Sequence, residues 1–168
     1  MTVIINGNGT ITPTSAVQPT GSILQVKQAV KTDTASFNSN SFTDITGLSV
    51  DITATAADSK MLVMAYLYIG VNQASQTAKI NIVRGTTNIG QPTSGSHQAT
   101  MHSWIYQQSM QNVAMHFLDD TTFATNAATN YHLEFASDGA NTDFYINRYH
   151  GSDSYRGIST LTVMEVAG

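Results

Sequence analysis

The chain has no cysteine, three prolines, one tryptophan and little charge of either sign. Without cysteine it is neither a disulfide-stapled scaffold nor a Cys-ligated zinc module, and it suits synthesis in a reducing cytosol. Charged residues make up 11% of its 168 positions, against about 25% in an average soluble domain. Lys and Arg number 7 and Asp and Glu 11, for a net charge of −4 with no basic cluster. That is not the electrostatic footprint of a nucleic-acid binder. The Ala, Glu, Lys and Leu richness of a coiled coil is also missing. The longest apolar run, Met61 to Val71, is interrupted by Tyr66, Tyr68 and Gly70. It falls well short of the roughly 20 residues needed to cross a bilayer, so no membrane partner is expected. Met1 to Asn6 carry neither a basic nor an apolar leader region, so no secretory signal is expected, and the sequon Asn8-Gly9-Thr10 is read as chance.

What fills the space is uncharged polarity: 61 of the 168 residues are Thr, Ser, Asn or Gln. The 41% hydrophobic content still suffices for a core at this length, so the chain is not a disordered tail. From Ser22 onward the apolar residues recur with a period of two. Ile23, Leu24, Val26 and Val30 mark a first strand, and Leu48, Val50 and Ile52 alternate with Ser49, Asp51 and Thr53. Met61 to Val71 is apolar on both alternates and reads as a central strand. Ile80/Ile82, Tyr131/Leu133/Phe135, Phe144/Ile146 and Ile158 to Val166 continue the pattern. Asp58-Ser59, Arg84-Gly85, Pro92 to Gly95, Asp138-Gly139 and Gly151 to Ser154 separate these segments as turns. Met110, Val113, Ala114, Phe117 and Leu118 also fit a helical stripe, so 109–118 is open between strand and helix; the scarcity of helix formers favours strand. The fold class expected is all-β: an antiparallel β-sandwich or jelly roll over 22–168, with eight to ten short strands.

Residues 1–21 read as an extended N-terminal arm, with Gly7, Gly9, Gly21, Pro13 and Pro19 among Thr, Asn and Ser. The arm still carries Val3, Ile4, Ile5, Ile11 and Val17. A free tail has no use for these. They either fasten the arm to a partner or make a short extra strand of the same domain.

No arrangement of side chains marks an enzyme. There is no Gly-x-Ser-x-Gly elbow and no phosphate loop, because Asn6-Gly7-Asn8-Gly9 lacks the following Lys-Ser/Thr. The two glutamates and nine aspartates offer no marked catalytic pair. His97 and His102 have no Cys and no carboxylate nearby in sequence, and His116 and His132 fall on the polar alternates of strands. Asp119 and Asp120, adjacent in a strand, point to opposite faces unless the chain turns there; a loop cation site is the alternative. No catalytic residue, metal or cofactor is expected. Trp104, Tyr106, Tyr145, Tyr149 and Tyr155 either stack on sugar rings or fill a core or subunit interface. Trp104, Tyr106, Met110 and Met115 are the candidates for burial between subunits, because aromatic and Met residues concentrate at interface centres.

Several segments in order resemble a module of surface and fibre proteins of tailed bacteriophages, notably those of marine and cyanobacterial hosts. They are Gly21-Ser22-Ile23-Leu24-Gln25-Val26, Lys31-Thr32-Asp33-Thr34, Phe42 to Val50, Ser59-Lys60-Met61-Leu62-Val63, Tyr145-Ile146-Asn147-Arg148 and Arg156 to Glu165. The resemblance covers about residues 21–168. It implies a virion structural protein without catalysis, at the virion surface and made in the bacterial cytoplasm. Such modules commonly associate as homotrimers. A capsid decoration (cement) protein, joined through its arm to the major capsid protein or another virion protein, is the leading expectation. The alternative is a receptor-binding module of a tail fibre or spike that contacts host glycans.

Overall fold

A chain with two-residue periodicity satisfies its backbone by pairing strands and buries one face of each sheet against another. The computed structural model describes residues 4–5, 11–12, 18–72, 76–106, 109–138 and 142–168, and these contain strands and turns but no helix. In chain order the strands are β1 (Ile4–Ile5), β2 (Ile11–Thr12), β3 (Ile23–Lys31), β4 (Ala35–Phe37) and β5 (Thr43–Ile52). There follow β6 (Lys60–Val71), β7 (Gln76–Arg84), β8 (Thr87–Ile89), β9 (Met101–Ile105) and β10 (Met110–Asp119). The last are β11 (Thr129–Ser137), β12 (Phe144–Ile146), β13 (Arg148–Tyr149), β14 (Ser152–Arg156) and β15 (Ser159–Val166).

Two antiparallel sheets pack face to face. The first runs β10–β6–β15–β3, and β12 and β4 continue the rows of β15 and β3 further along β6. The second runs β5–β11–β7, with β8 and β9 sharing the far edge of β7. Between them lies one core. Met61, Val63, Ala65, Leu67 and Ile69 of β6 face Leu48, Val50, Ile52, Ile80, Ile82, Tyr131, Leu133 and Phe135. Phe135 anchors a cluster of rings, 5.1 Å from both Phe37 and Phe144. The all-β sandwich expected from the alternation is the fold observed.

The segment open between helix and strand is β10. It pairs with β6 from Met110↔Gly70 to Asp119↔Met61, with Val113 and Met115 turned inward. Tertiary pairing settles what periodicity alone left ambiguous. Several details differ from the expectation. β6 is central, but its outer face is covered only near Gly70, where an added Cβ would lie 2.5 Å from the Arg148 carbonyl oxygen; Met64 and Tyr66 stay exposed. Gly151 to Ser154 is not merely a separator, because β14 begins at Ser152 and pairs with β13. β4, β8 and β9 are short strands within stretches whose patterns are too brief to read.

Of the arm, β1 and β2 pair with each other, Ile4↔Thr12 and Ile5↔Ile11, in a sheet of their own. That pairing puts these residues in neither sheet of the sandwich. Val3 and Val17 lie outside the described residues. The chain enters the sandwich beside its own C-terminus, where Gly21 N–H donates to the Ala167 carbonyl and Ala167 N–H to that of Ser22, both at 2.9 Å.

Candidate interaction surface

β3 is turned inside out. An amphipathic strand normally shows its apolar side to the core, but Ile23, Val26 and Val30 are 60%, 53% and 50% exposed. Two polar alternates, Gln25 and Lys31, point inward instead. Gln25 donates to Glu165 Oε2 at 2.6 Å and to the Thr53 carbonyl at 2.7 Å, and buried Lys31 donates to the Thr46 carbonyl at 2.8 Å. These tie the edge strand to the opposite sheet and leave its valines outside.

The strand register extends that apolar edge into a plane. Across β10, β6, β15 and β3, one row reads Leu118–Leu62–Met164–Val26. The next reads His116–Met64–Thr162–Gln28, and the third Ala114–Tyr66–Thr160–Val30. No Asp, Glu, Lys or Arg stands in these rows. Met64, Tyr66 and Leu118 are exposed along with the β3 residues. Contiguous exposed apolar surface on a sheet is a signature of association.

At one end of this plane the β13–β14 hairpin rises as a wall. A cavity of about 470 Å³ lies at the junction, lined by Tyr68, Met110, Tyr149, Ser154, Tyr155 and Arg156. Tyr149 and Tyr155 meet edge to face at 6.0 Å. Behind the wall, Asn147 is the joint between β12 and β13. It is fully buried with φ +63°, a left-handed conformation that Asn tolerates better than most residues. Its amide donates to the Lys31 and Asp33 carbonyls at 2.8 and 2.9 Å, and its Oδ1 accepts from the Ser159 hydroxyl at 2.6 Å.

The outer face of the second sheet is polar and interlinked. Asn130 donates to Ser49 Oγ and Asp51 Oδ1 at 2.8 and 2.7 Å, and Gln91 donates to Asn81 Oδ1 at 2.7 Å. Lys79 pairs with Asp138 at 3.5 Å.

The four residues expected between subunits do not come together. Met110 lines the cavity beside the apolar plane. Trp104 stands opposite Thr77 on the outer face of the second sheet, 63% exposed, and Tyr106 just beyond β9 is 68% exposed. Met115 corrects the expectation: it is buried in the chain's own core, because the alternation of β10 turns it toward the second sheet. Tyr145 is likewise no free loop aromatic. It lies buried in β12 with the Arg148 guanidinium 4.0 Å above its ring. His97 and His102 do not form a ligand pair, since His102 Nε2 contacts the His97 backbone carbonyl at 3.0 Å.

Asp119 is fully committed, which removes it from a loop cation site. Arg84 holds both its oxygens, at 2.6 and 2.8 Å, and the Tyr131 hydroxyl donates to it at 2.8 Å. Burial, and then this hydrogen bond, push the Tyr131 hydroxyl well above its ordinary pKa. Glu165 is the second buried acid. Burial opposes its ionisation, but the donors around it, including Gln25 and the amide and hydroxyl of Thr55 at 2.7 and 2.8 Å, outweigh that. They hold the carboxyl below its ordinary value. The valine edge of β3 was visible in the sequence as an apolar strand; which way it faced was not.

No family model matches the chain, and no curated protein does either. Among solved structures it resembles one of infectious bursal disease virus, Gt strain, with a TM-score of 0.52 and 11% identity, over 99% of this chain and 47% of that one. It also overlaps T=1 particles derived from that virus, with a TM-score of 0.44 and 10% identity, over 93% of this chain and 41% of that one. The chain thus spans about half the length of the structures it resembles. At this identity the likeness is one of fold: the antiparallel sandwich of this chain is also found in a virus particle.

Proposed function

We propose that this chain is a structural protein of a virus particle, and more finely a head-surface decoration (cement) protein of a tailed bacteriophage. It assembles as a homotrimer and is fastened through residues 1–21 to the major capsid protein or another virion protein. It binds and builds rather than catalyses, at the virion surface, after synthesis in the bacterial cytoplasm. The observation that carries this reading is the uncharged apolar plane on the outside of β10–β6–β15–β3, which a monomer leaves in water. The fold shared with a virus particle supports it, as do the sequence segments that resemble phage surface modules. Quantifying the chain in purified virions tests it. Hundreds of copies per particle are expected, and absence from particles overturns it. Deleting residues 1–20 should leave the melting temperature nearly unchanged and abolish incorporation; unfolding of the truncated chain would make the arm part of the domain instead.

The tyrosine-lined cavity favours a second reading, a tail-fibre or spike module that contacts host glycans. A few to some tens of copies per particle, with host-cell adsorption lost in Tyr149→Ala and Tyr155→Ala, would select it.

A further inference from the structure

On the outer face of the second sheet, the β5–β11 pairing slips at a bulge between His132 and Glu134 and sets Asp44 directly opposite Glu134. Carboxylates facing each other across an antiparallel pair destabilise it. His132 shares the face, two residues from Glu134. Its Nδ1 lies 2.9 Å from Asn130 Oδ1. The Asn130 amide nitrogen already donates to Ser49 and Asp51, so Oδ1 accepts and Nδ1 carries the proton. The other ring nitrogen, Nε2, faces Asp44 Oδ1, 3.5 Å away. The ligand atoms of all three residues lie within 4.8 Å of one another, and Glu134 Oε2 also accepts from the Asn81 amide at 3.5 Å. Donor atoms around a tetrahedral ion with bonds of about 2.0–2.2 Å stand about 3.3–3.6 Å apart.

We propose that Asp44, His132 and Glu134 form a divalent transition-metal site of the zinc class, with one open position. The ion pins edge strand β5 to β11 at the bulge and relieves the carboxylate pair. One imidazole and two carboxylates suit zinc or its neighbours better than calcium or magnesium, which take oxygen ligands alone. An outer partner that fixes the histidine tautomer, as Asn130 does, is a regular feature of such sites.

The test is titration of the chelator-treated full chain with Zn²⁺, followed by calorimetry and thermal melting. One saturating equivalent per chain is expected, with a raised melting temperature and no rise with Ca²⁺ or Mg²⁺ at the same concentration. His132→Gln and Asp44→Asn should each weaken binding by about 10–100-fold or more, with the metal-free melting temperature kept or raised in Asp44→Asn, because that side chain is exposed and the change removes one of the two facing carboxylates. Should His132→Gln fail to fold, Co²⁺ added to the unmodified chain supplies the second readout. Its paramagnetism should broaden the amide signals of Asp44 and Glu134 ahead of those around His97, His102 and His116. Absence of saturable binding, binding in either variant as tight as in the unmodified chain, or broadening centred on the other histidines would overturn the site.

Discussion

The two outer faces of the sandwich are built from antiparallel strands of similar length, yet they end in opposite chemistry. Outside β5–β11–β7, Asn130, Asn81, Gln91 and Lys79 are joined by hydrogen bonds and an ion pair to neighbours within the chain. Outside β10–β6–β15–β3, rows of mainly Leu, Met, Val, Tyr, Ala and Thr, with His116 and Gln28 at the ends of the middle row, face water without Asp, Glu, Lys or Arg. The first face is largely tied together by the chain itself, save where Asp44 stands opposite Glu134. The second is linked sparsely, as where Gln28 donates to the Thr162 hydroxyl at 2.8 Å, and gains chiefly by leaving water, at about 25 cal/mol per Å² of apolar area removed. The comparison teaches that a protein with few charges need not be uniformly adhesive. Here the polar side chains are spent on one face and on the inside of β3, and the association tendency is concentrated on the other.

The strongest way to break this contrast is to put charge into the apolar plane. Val26→Asp with Tyr66→Asp should leave uncompensated charges in any subunit contact made there, costing several kcal/mol. Light scattering should then show one 18.0 kDa chain where the unmodified protein shows about three. Ser49→Asp on the opposite face should leave the oligomer intact. A single-chain mass for the unmodified protein at micromolar concentration would confine assembly to the particle.

The core position of Met115 predicts that Met115→Ala costs about 2–5 kcal/mol. The loss should show as a lower melting temperature that does not depend on protein concentration. A drop that disappears on dilution would return Met115 to a subunit interface.

Glu165 gives the apolar-faced sheet its acid sensitivity. The folded pKa is held below 4.5, so its stabilising contribution is complete above that value and is lost as the pH falls through the depressed one. Glu165→Gln should cost about 1–3 kcal/mol at neutral pH and flatten the acid limb of stability against pH. An unchanged acid limb in denaturant melts would show that another carboxyl governs it. The smallest effect is expected at Trp104. Exposed on the polar-faced sheet, Trp104→Ala should change stability by less than about 0.5 kcal/mol and leave the mass unaltered. Dissociation of the oligomer would move the interface to the β9 edge.

Much of the fold was legible in the chain. Alternation at Leu48/Val50/Ile52 and Tyr131/Leu133/Phe135 is a local property, because side chains on a strand take opposite faces in turn. The short strands β4, β8 and β9 were not legible, since three to five residues hold too little pattern to distinguish from loop. The site was legible only as residue types. Met110 and Met115 look alike in sequence but sit on opposite sides of β10, because they are an odd five positions apart, and the pairing with β6 decides which is covered. Asn147 falls in one of the segments that resemble phage modules, yet its role as the left-handed joint between β12 and β13 came from hydrogen bonds to residues far along the chain.

By itself, the sequence determined the class: low in charge, cysteine-free, β-patterned, with one core's worth of apolar residues. Only the tertiary structure decided which apolar residues that core would leave out. Strand alternation separates a strand's two faces but does not say which turns inward. For β3 the choice is made by Glu165 and the Thr46 and Thr53 carbonyls, which draw Gln25 and Lys31 inside and so turn Val26 and Val30 out to solvent.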